Sequence, residues 1–187
     1  MHDAPSTVVL VCWIAFAVTW AIAAMFVKRT VERSRSWGRL LIAVVVALAF
    51  WAARNPPVLR DLRLWTPTPS TEWLAACVVV VGLAVTLWAR AALGGNWSGS
   101  VTFKEDHELI QSGPYRYVRH PIYSGLLLMS LGTAILHAWS WQFVFCALLL
   151  VALWSKLRAE EQLLTRHFPE AYPQYRQRVR ALIPFVL

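Results

Sequence analysis

The chain has 187 residues, of which 58% are hydrophobic and only 15% charged, with a net charge of +8 and a mean hydropathy of +0.49. This balance excludes an ordinary soluble domain and places the protein in a bilayer. At roughly 20 apolar residues per crossing, the length allows a handful of spans and no separate soluble catalytic domain. Any chemistry must therefore come from loops and helix ends.

Residues 7–27 form an uncharged run long enough to span, followed at once by Lys28, Arg29, Arg33, Arg35 and Arg39. The start lacks the positive segment of a secretory signal, so the run reads as an anchor with its N-terminus outside and the basic loop in the cytosol. A second, shorter run covers 40–53, with Trp37 and Trp51 as interfacial anchors. Residues 54–71 read as a loop, because Pro56, Pro57, Pro67 and Pro69 forbid a continuous helix. A third run, 73–89, ends at Arg90 and returns the chain to the cytosolic face. A polar segment follows over 94–119. Residues 121–155 contain no Asp, Glu, Lys or Arg and are too long for one span at about 1.5 Å per residue, which predicts a hairpin turning near 137–141. From Lys156 onward the chain is polar and basic, and a helix is expected to leave the membrane and lie along its surface. The fold expected is all-α, with about five transmembrane helices. Its N-terminal region, 1–93, carries three of them; residues 94–187 carry the hairpin, a cytosolic C-terminal helix and a cytosolic pocket.

The basic residues lie in short segments beside apolar runs, which favours membrane lipid over nucleic acid as a partner. Cys12, Cys77 and Cys146 are widely separated within apolar runs, and the five histidines are scattered. No metal site is therefore expected. Several of the eleven tryptophans sit at the expected membrane boundaries, where interfacial anchoring is a simpler explanation than aromatic recognition.

Polar aromatic and basic residues gather in Gly113-Pro114-Tyr115-Arg116-Tyr117-Val118-Arg119-His120-Pro121-Ile122-Tyr123-Ser124-Gly125, at the start of the hairpin. Pro121 suits a first helical turn, whose free N–H groups and positive dipole receive carboxylates. After the hairpin, Arg158-Ala159-Glu160-Glu161 returns to the same membrane face. On composition alone these residues serve equally well as headgroup anchors and a solvated salt-bridged face.

Together the segments resemble the isoprenylcysteine carboxyl methyltransferase family and the related membrane phospholipid N-methyltransferases, which carry an RHPxYxG element and a downstream Glu-Glu pair. Here these are Arg119 to Gly125 and Glu160-Glu161, within a resemblance running from about Asn96 to the C-terminus. It includes His107-Glu108-Leu109-Ile110 before the Gly113 turn and Phe168, Tyr172 and Tyr175 after the acids. The resemblance implies S-adenosylmethionine as cofactor, S-adenosylhomocysteine as product, and a hydrophobic small-molecule or lipidated acceptor entering from the membrane. Carried over by position, the cofactor contacts are Ser100, His107, Leu109, Ile110, Tyr115, His120, Pro121, Tyr123 and Glu160. Arg90, Lys156 and Arg158 are the counterparts of acceptor-binding basic residues, and Arg90, His120 and Glu160 the catalytic set. Which of the two adjacent glutamates faces the cofactor stays open, as does the acceptor. The competing enzyme reading is an NADPH-dependent sterol or enone reductase with a comparable RHP element. A non-catalytic membrane scaffold is the reading outside enzymes.

Overall fold

The computed structural model describes residues 4–25, 30–33, 38–52, 61–94, 102–104 and 109–184. The elements in chain order are α1 (Ala4–Ala24), β1 (Thr30–Arg33), α2 (Gly38–Ala52), α3 (Pro69–Leu93), β2 (Thr102–Lys104), a 3-10 turn (Gly113–Arg116), α4 (Pro121–His137), α5 (Ser140–His167) and α6 (Ala171–Arg178). Helices α1, α3 and α5 are long and apolar enough to cross a membrane. Helix α4 is equally apolar but only 17 residues long, and α2 has 15.

Helix α3 starts four residues ahead of the run read from sequence, because Pro69 occupies the first helical turn and Thr68 caps it. The Thr71 N–H donates to Thr68 Oγ1 at 3.4 Å, and the Thr68 N–H donates back to Thr71 Oγ1 at 2.8 Å. The two hydroxyl residues thus satisfy donors that a helix start leaves free. The turn of the expected hairpin falls at Ala138 and Trp139, with Ala138 in the left-handed region at φ 57°. The second arm does not end at Lys156. It continues as one helix to His167, so the polar C-terminal helix expected there is the last part of α5, and a separate helix, α6, follows it.

Helix α3 makes its most extensive packing against α4. The reason lies in glycines: a Cβ built on Gly125 would sit 2.5 Å from the Gly82 carbonyl oxygen, and one on Gly132 would sit 2.8 Å from the Ala75 carbonyl oxygen. Such small residues let helix backbones approach where lipid gives little hydrophobic drive to association. Helix α1 adds Val9 and Cys12 to a core with Ala75, Ala76, Val79, Met129 and Leu136. It is tied to α4 by the Trp13 indole N–H donating to Thr133 Oγ1 at 3.0 Å. Helix α2 contributes Val45 to a second core with Tyr123, Leu149, Ala152, Leu153, Leu157, Ala181 and Leu182. The N-terminal helices thus share cores with the hairpin. A short antiparallel ladder pairs Thr30 with Lys104 and Arg33 with Thr102, an element the sequence did not announce.

The bundle has two distinct ends. At one, residues 62–64 run beside the hairpin turn, with the Leu64 N–H donating to the Ala138 carbonyl at 2.9 Å and the Ser140 N–H to Leu62 at 3.0 Å. At the other, Arg90 joins the C-terminal ends of α3 and α1 by donating to the carbonyls of Gly94 at 2.5 Å and Ala23 at 2.8 Å.

Candidate active site

At that second end, the chain between the 3-10 turn and α4 meets the last turns of α5. Pro121 occupies the first turn of α4 and is fully buried. The preceding residues are held by the C-terminal segment: the Arg119 N–H donates to the Arg180 carbonyl at 2.8 Å and the His120 N–H to Ala181 at 3.0 Å. Ser124 Oγ donates to the Leu182 carbonyl at 2.5 Å, and Tyr175 Oη to the Tyr115 carbonyl at 2.5 Å. Residues 175–182 therefore strap down the turn that presents His120.

His120 lies buried between two acids, with Nδ1 3.6 Å from Glu160 Oε2 and Nε2 3.5 Å from Glu161 Oε1. Both are ion-pair separations longer than hydrogen bonds. Its ring stacks on Tyr123, at 5.4 Å between centroids and 3° between planes. Burial by itself drives the imidazole toward the neutral form, but the two carboxylates outweigh it and hold the pKa above its ordinary 6.5. The two carboxylates thus favour the protonated form of His120 from either side of its ring.

The two glutamates differ in what they do. Glu161 is 5% exposed and accepts from Arg119 Nε and Nη2 at 2.8 and 2.6 Å, while Arg176 Nε approaches its other oxygen at 3.7 Å. Arg119 also donates through Nη1 to the carbonyls of Val179 and Arg176. Glu161 is consumed by the structure. Glu160 keeps 22% side-chain exposure, accepts from Tyr123 Oη at 2.7 Å, and has Lys156 Nζ 3.8 Å away. Lys156 also lies 5.1 Å from the Tyr123 ring centroid, in a cation–π position.

Tyr115, Tyr123, His120, Lys156 and Glu160 are therefore gathered in one place. Burial, reinforced by the charges of Glu160 and Tyr175, raises the Tyr115 phenol well above its usual value, while Arg90 opposes the shift. Tyr115 thus stands as a neutral group between Arg90 and the acids. Leu109 and Ile110 are half-buried on the approach to the 3-10 turn. Ser100 and His107 lie outside the described residues. Arg158 does not join Lys156: two residues along an α-helix turn the side chain by about 200°, and Arg158 is exposed, its guanidinium over the Trp154 ring. The roles of Arg119, Arg176 and the 179–182 strap were not visible in the sequence, where Arg119 reads as a headgroup anchor.

The His120 charge gives a pH dependence. A pKa raised on folding contributes stability that is full below 6.5 and is lost as pH rises through the folded value. Melting of the detergent-solubilised protein should fall in temperature over that interval, and His120→Gln should flatten the profile. A wild-type profile as flat as the variant's would mean that the imidazole is neutral.

A model described as the isoprenylcysteine carboxyl methyltransferase family matches residues 74–166, which include most of α3, the RHP turn and both glutamates. These residues belong to that family. The protein-S-isoprenylcysteine O-methyltransferase of Schizosaccharomyces pombe is 36% identical over 104 residues, covering 52% of this chain and 43% of its own. The Saccharomyces cerevisiae protein of the same name is 29% identical over 132 residues, covering 67% and 55%. The solved structure of a eukaryotic intramembrane Ras methyltransferase of this family superposes with a TM-score of 0.59 and 25% identity, over 82% of this chain and 54% of that one. The chain thus spans about half the length of these methyltransferases. With three helices among the described residues long and apolar enough to cross and an intramembrane structural neighbour, it is an integral membrane protein.

Proposed function

We propose that this protein transfers a methyl group from S-adenosylmethionine to a hydrophobic or lipid-like acceptor, with an isoprenylcysteine carboxylate as the type. The observation that carries this reading is the buried cluster of His120, Tyr123, Lys156 and Glu160 within the segment that matches the methyltransferase family. The residues suit the cofactor. His120 Nε2 and Tyr172 Oη are buried polar atoms without a hydrogen-bond partner, and the more exposed of the two glutamates, Glu160, retains acceptor capacity for an amino or hydroxyl group. When bound, S-adenosylmethionine supplies an electrophilic methyl on a sulfonium.

Glu160 and His120 would hold the polar parts of that ligand. The rings of Tyr115 and Tyr123, with Pro121, Leu109 and Ile110, would wall it from water, which helps in-line displacement chiefly by alignment and exclusion of solvent. Arg90 and Lys156 are the basic residues proposed to face an acceptor carboxylate. Such an acceptor is already nucleophilic and needs no general base, so His120 is proposed to bind and not to abstract a proton. The proposed topology has five crossings, α2 and α4 included, with the N-terminus outside and the cluster facing the cytosol across the inner membrane. Supporting it, the chain passes from Ala23 at the site end to Leu62 at the hairpin-turn end, with α2 between.

The test is transfer of radiolabelled methyl from S-adenosylmethionine by the liposome-reconstituted chain to a farnesylated cysteine bearing a free carboxylate. Base-labile incorporation is expected, because the product is a methyl ester. Incorporation into phosphatidylethanolamine alone would move the acceptor to a lipid amine, and none into either would refute the assignment.

A further inference from the structure

Glu161 also lines an open cleft of about 330 Å³, together with Arg158, Gln162, Thr165, Arg166 and Arg176. Residues 158, 162, 165 and 166 follow helical spacing and share one face of α5, while Arg176 faces it from α6. All three arginines are exposed. The acid does not neutralise them, since Glu161 is already held by Arg119 at 2.6 and 2.8 Å and Arg176 reaches its other oxygen only at 3.7 Å. The Thr165 hydroxyl is spent on the Glu161 carbonyl at 2.7 Å. Among the described residues, no carboxylate pairs with Arg158 or Arg166. The cleft is thus lined by arginines from two helices, Arg158 and Arg166 without a carboxylate partner among the described residues, and guanidinium groups match phosphate oxygens.

Its place along α5 indicates where that phosphate comes from. The uncharged stretch ends at Ser155, and Arg158 lies about 4.5 Å further along the axis, within the roughly 5–7 Å depth of a headgroup layer. Its guanidinium rests 5.1 Å from the centroid of Trp154, a residue type that favours that interface. We propose that this cleft binds the phosphate of an anionic phospholipid headgroup, with Arg158 at the membrane edge and Arg166 and Arg176 further into water. The cleft borders the methyl-transfer cluster through Glu161, but the proposal does not depend on the reading of that cluster.

The test measures lipid dissociation constants by native mass spectrometry on the full chain in detergent, using phosphatidylglycerol, phosphatidylcholine and inorganic phosphate as probes. Phosphatidylglycerol should bind more tightly than phosphatidylcholine, and the double variant R158Q/R166Q should weaken it about 30-fold, from the typical contribution of a basic residue near an anionic surface. Arg63→Gln, at the opposite end of the bundle, should leave the constant unchanged. Since all these residues are exposed, circular dichroism should show the variants folded. Equal loss in Arg63→Gln, or none in R158Q/R166Q, would overturn the site. Inorganic phosphate binding as tightly as the lipid would overturn the lipid as its source.

Discussion

Replacing Glu161 with alanine is expected to remove the folded state, whereas Glu160→Gln should leave the protein folded with a weakened hold on its ligand. The two acids are neighbours in sequence but lie about 100° apart on α5. Glu161 forms an ion pair with Arg119 in which the two side chains are 5% and 8% exposed. Deleting one member of such a pair leaves an uncompensated buried charge and costs about 3–5 kcal/mol, a large part of the roughly 5–15 kcal/mol that a domain commands. The loss would spread, because the same Arg119 holds the carbonyls of Arg176 and Val179, and with them the strap that positions His120. In Glu160→Gln the amide oxygen can still accept from Tyr123, and what disappears is a charged acceptor. A hydrogen bond to a charged group is worth about 1.5–3 kcal/mol, so affinity for S-adenosylhomocysteine should fall about 10- to 100-fold with little change in melting temperature. A folded Glu161→Ala that lost the ligand, beside a Glu160→Gln that kept it, would reverse the two roles.

Gly125→Val should be as damaging for a steric reason. A side-chain carbon there would meet the Gly82 carbonyl oxygen at 2.5 Å and Thr86 Cγ2 at 2.6 Å. The first obstacle is backbone, so relief requires α3 and α4 to separate along their main contact. Overpacking a core costs about 1–3 kcal/mol and sometimes more, and a rigid backbone obstacle places this substitution at or beyond the upper end. Because Tyr123 is two residues away on the same helix, activity should be lost at temperatures where some protein remains folded. Thermal melts in detergent would measure the first effect. The control is Val151→Leu on the exposed face of α5, expected to change stability by less than about 0.5 kcal/mol. Equal melting temperatures for Gly125→Val and wild type would mean that the helices do not approach this closely.

Hydropathy located the helices well, since a membrane segment must bury its backbone in helix and cover it with apolar side chains. The run over 7–27 is α1, that over 40–53 is α2, and the turn expected within 137–141 falls at Ala138 and Trp139. Boundaries set by local chemistry were harder. Pro69 reads as a helix breaker until Thr68 is seen to cap it, and α5 continues to His167 through residues whose polarity suggests a departure from the membrane. The candidate cluster could be proposed from sequence where its residues are contiguous, as from Tyr115 to Tyr123, and where the family pattern supplied the downstream acids. Its supports were not. The strap joins backbone groups some sixty positions apart, and hydrogen bonds between main-chain atoms leave no mark on side-chain pattern. The separation of Arg158 from Lys156 was available in principle from helical angle alone, but only once α5 was known to continue unbroken past Lys156.

The central claim is that the cluster around His120 and Glu160 binds a methyl donor. Calorimetric titration of the purified 187-residue chain in detergent, with S-adenosylhomocysteine and NADPH as parallel ligands, tests it most directly. Binding of S-adenosylhomocysteine with no heat from NADPH is the expected result. Binding of NADPH alone would contradict the account and assign the same cluster to a reductase.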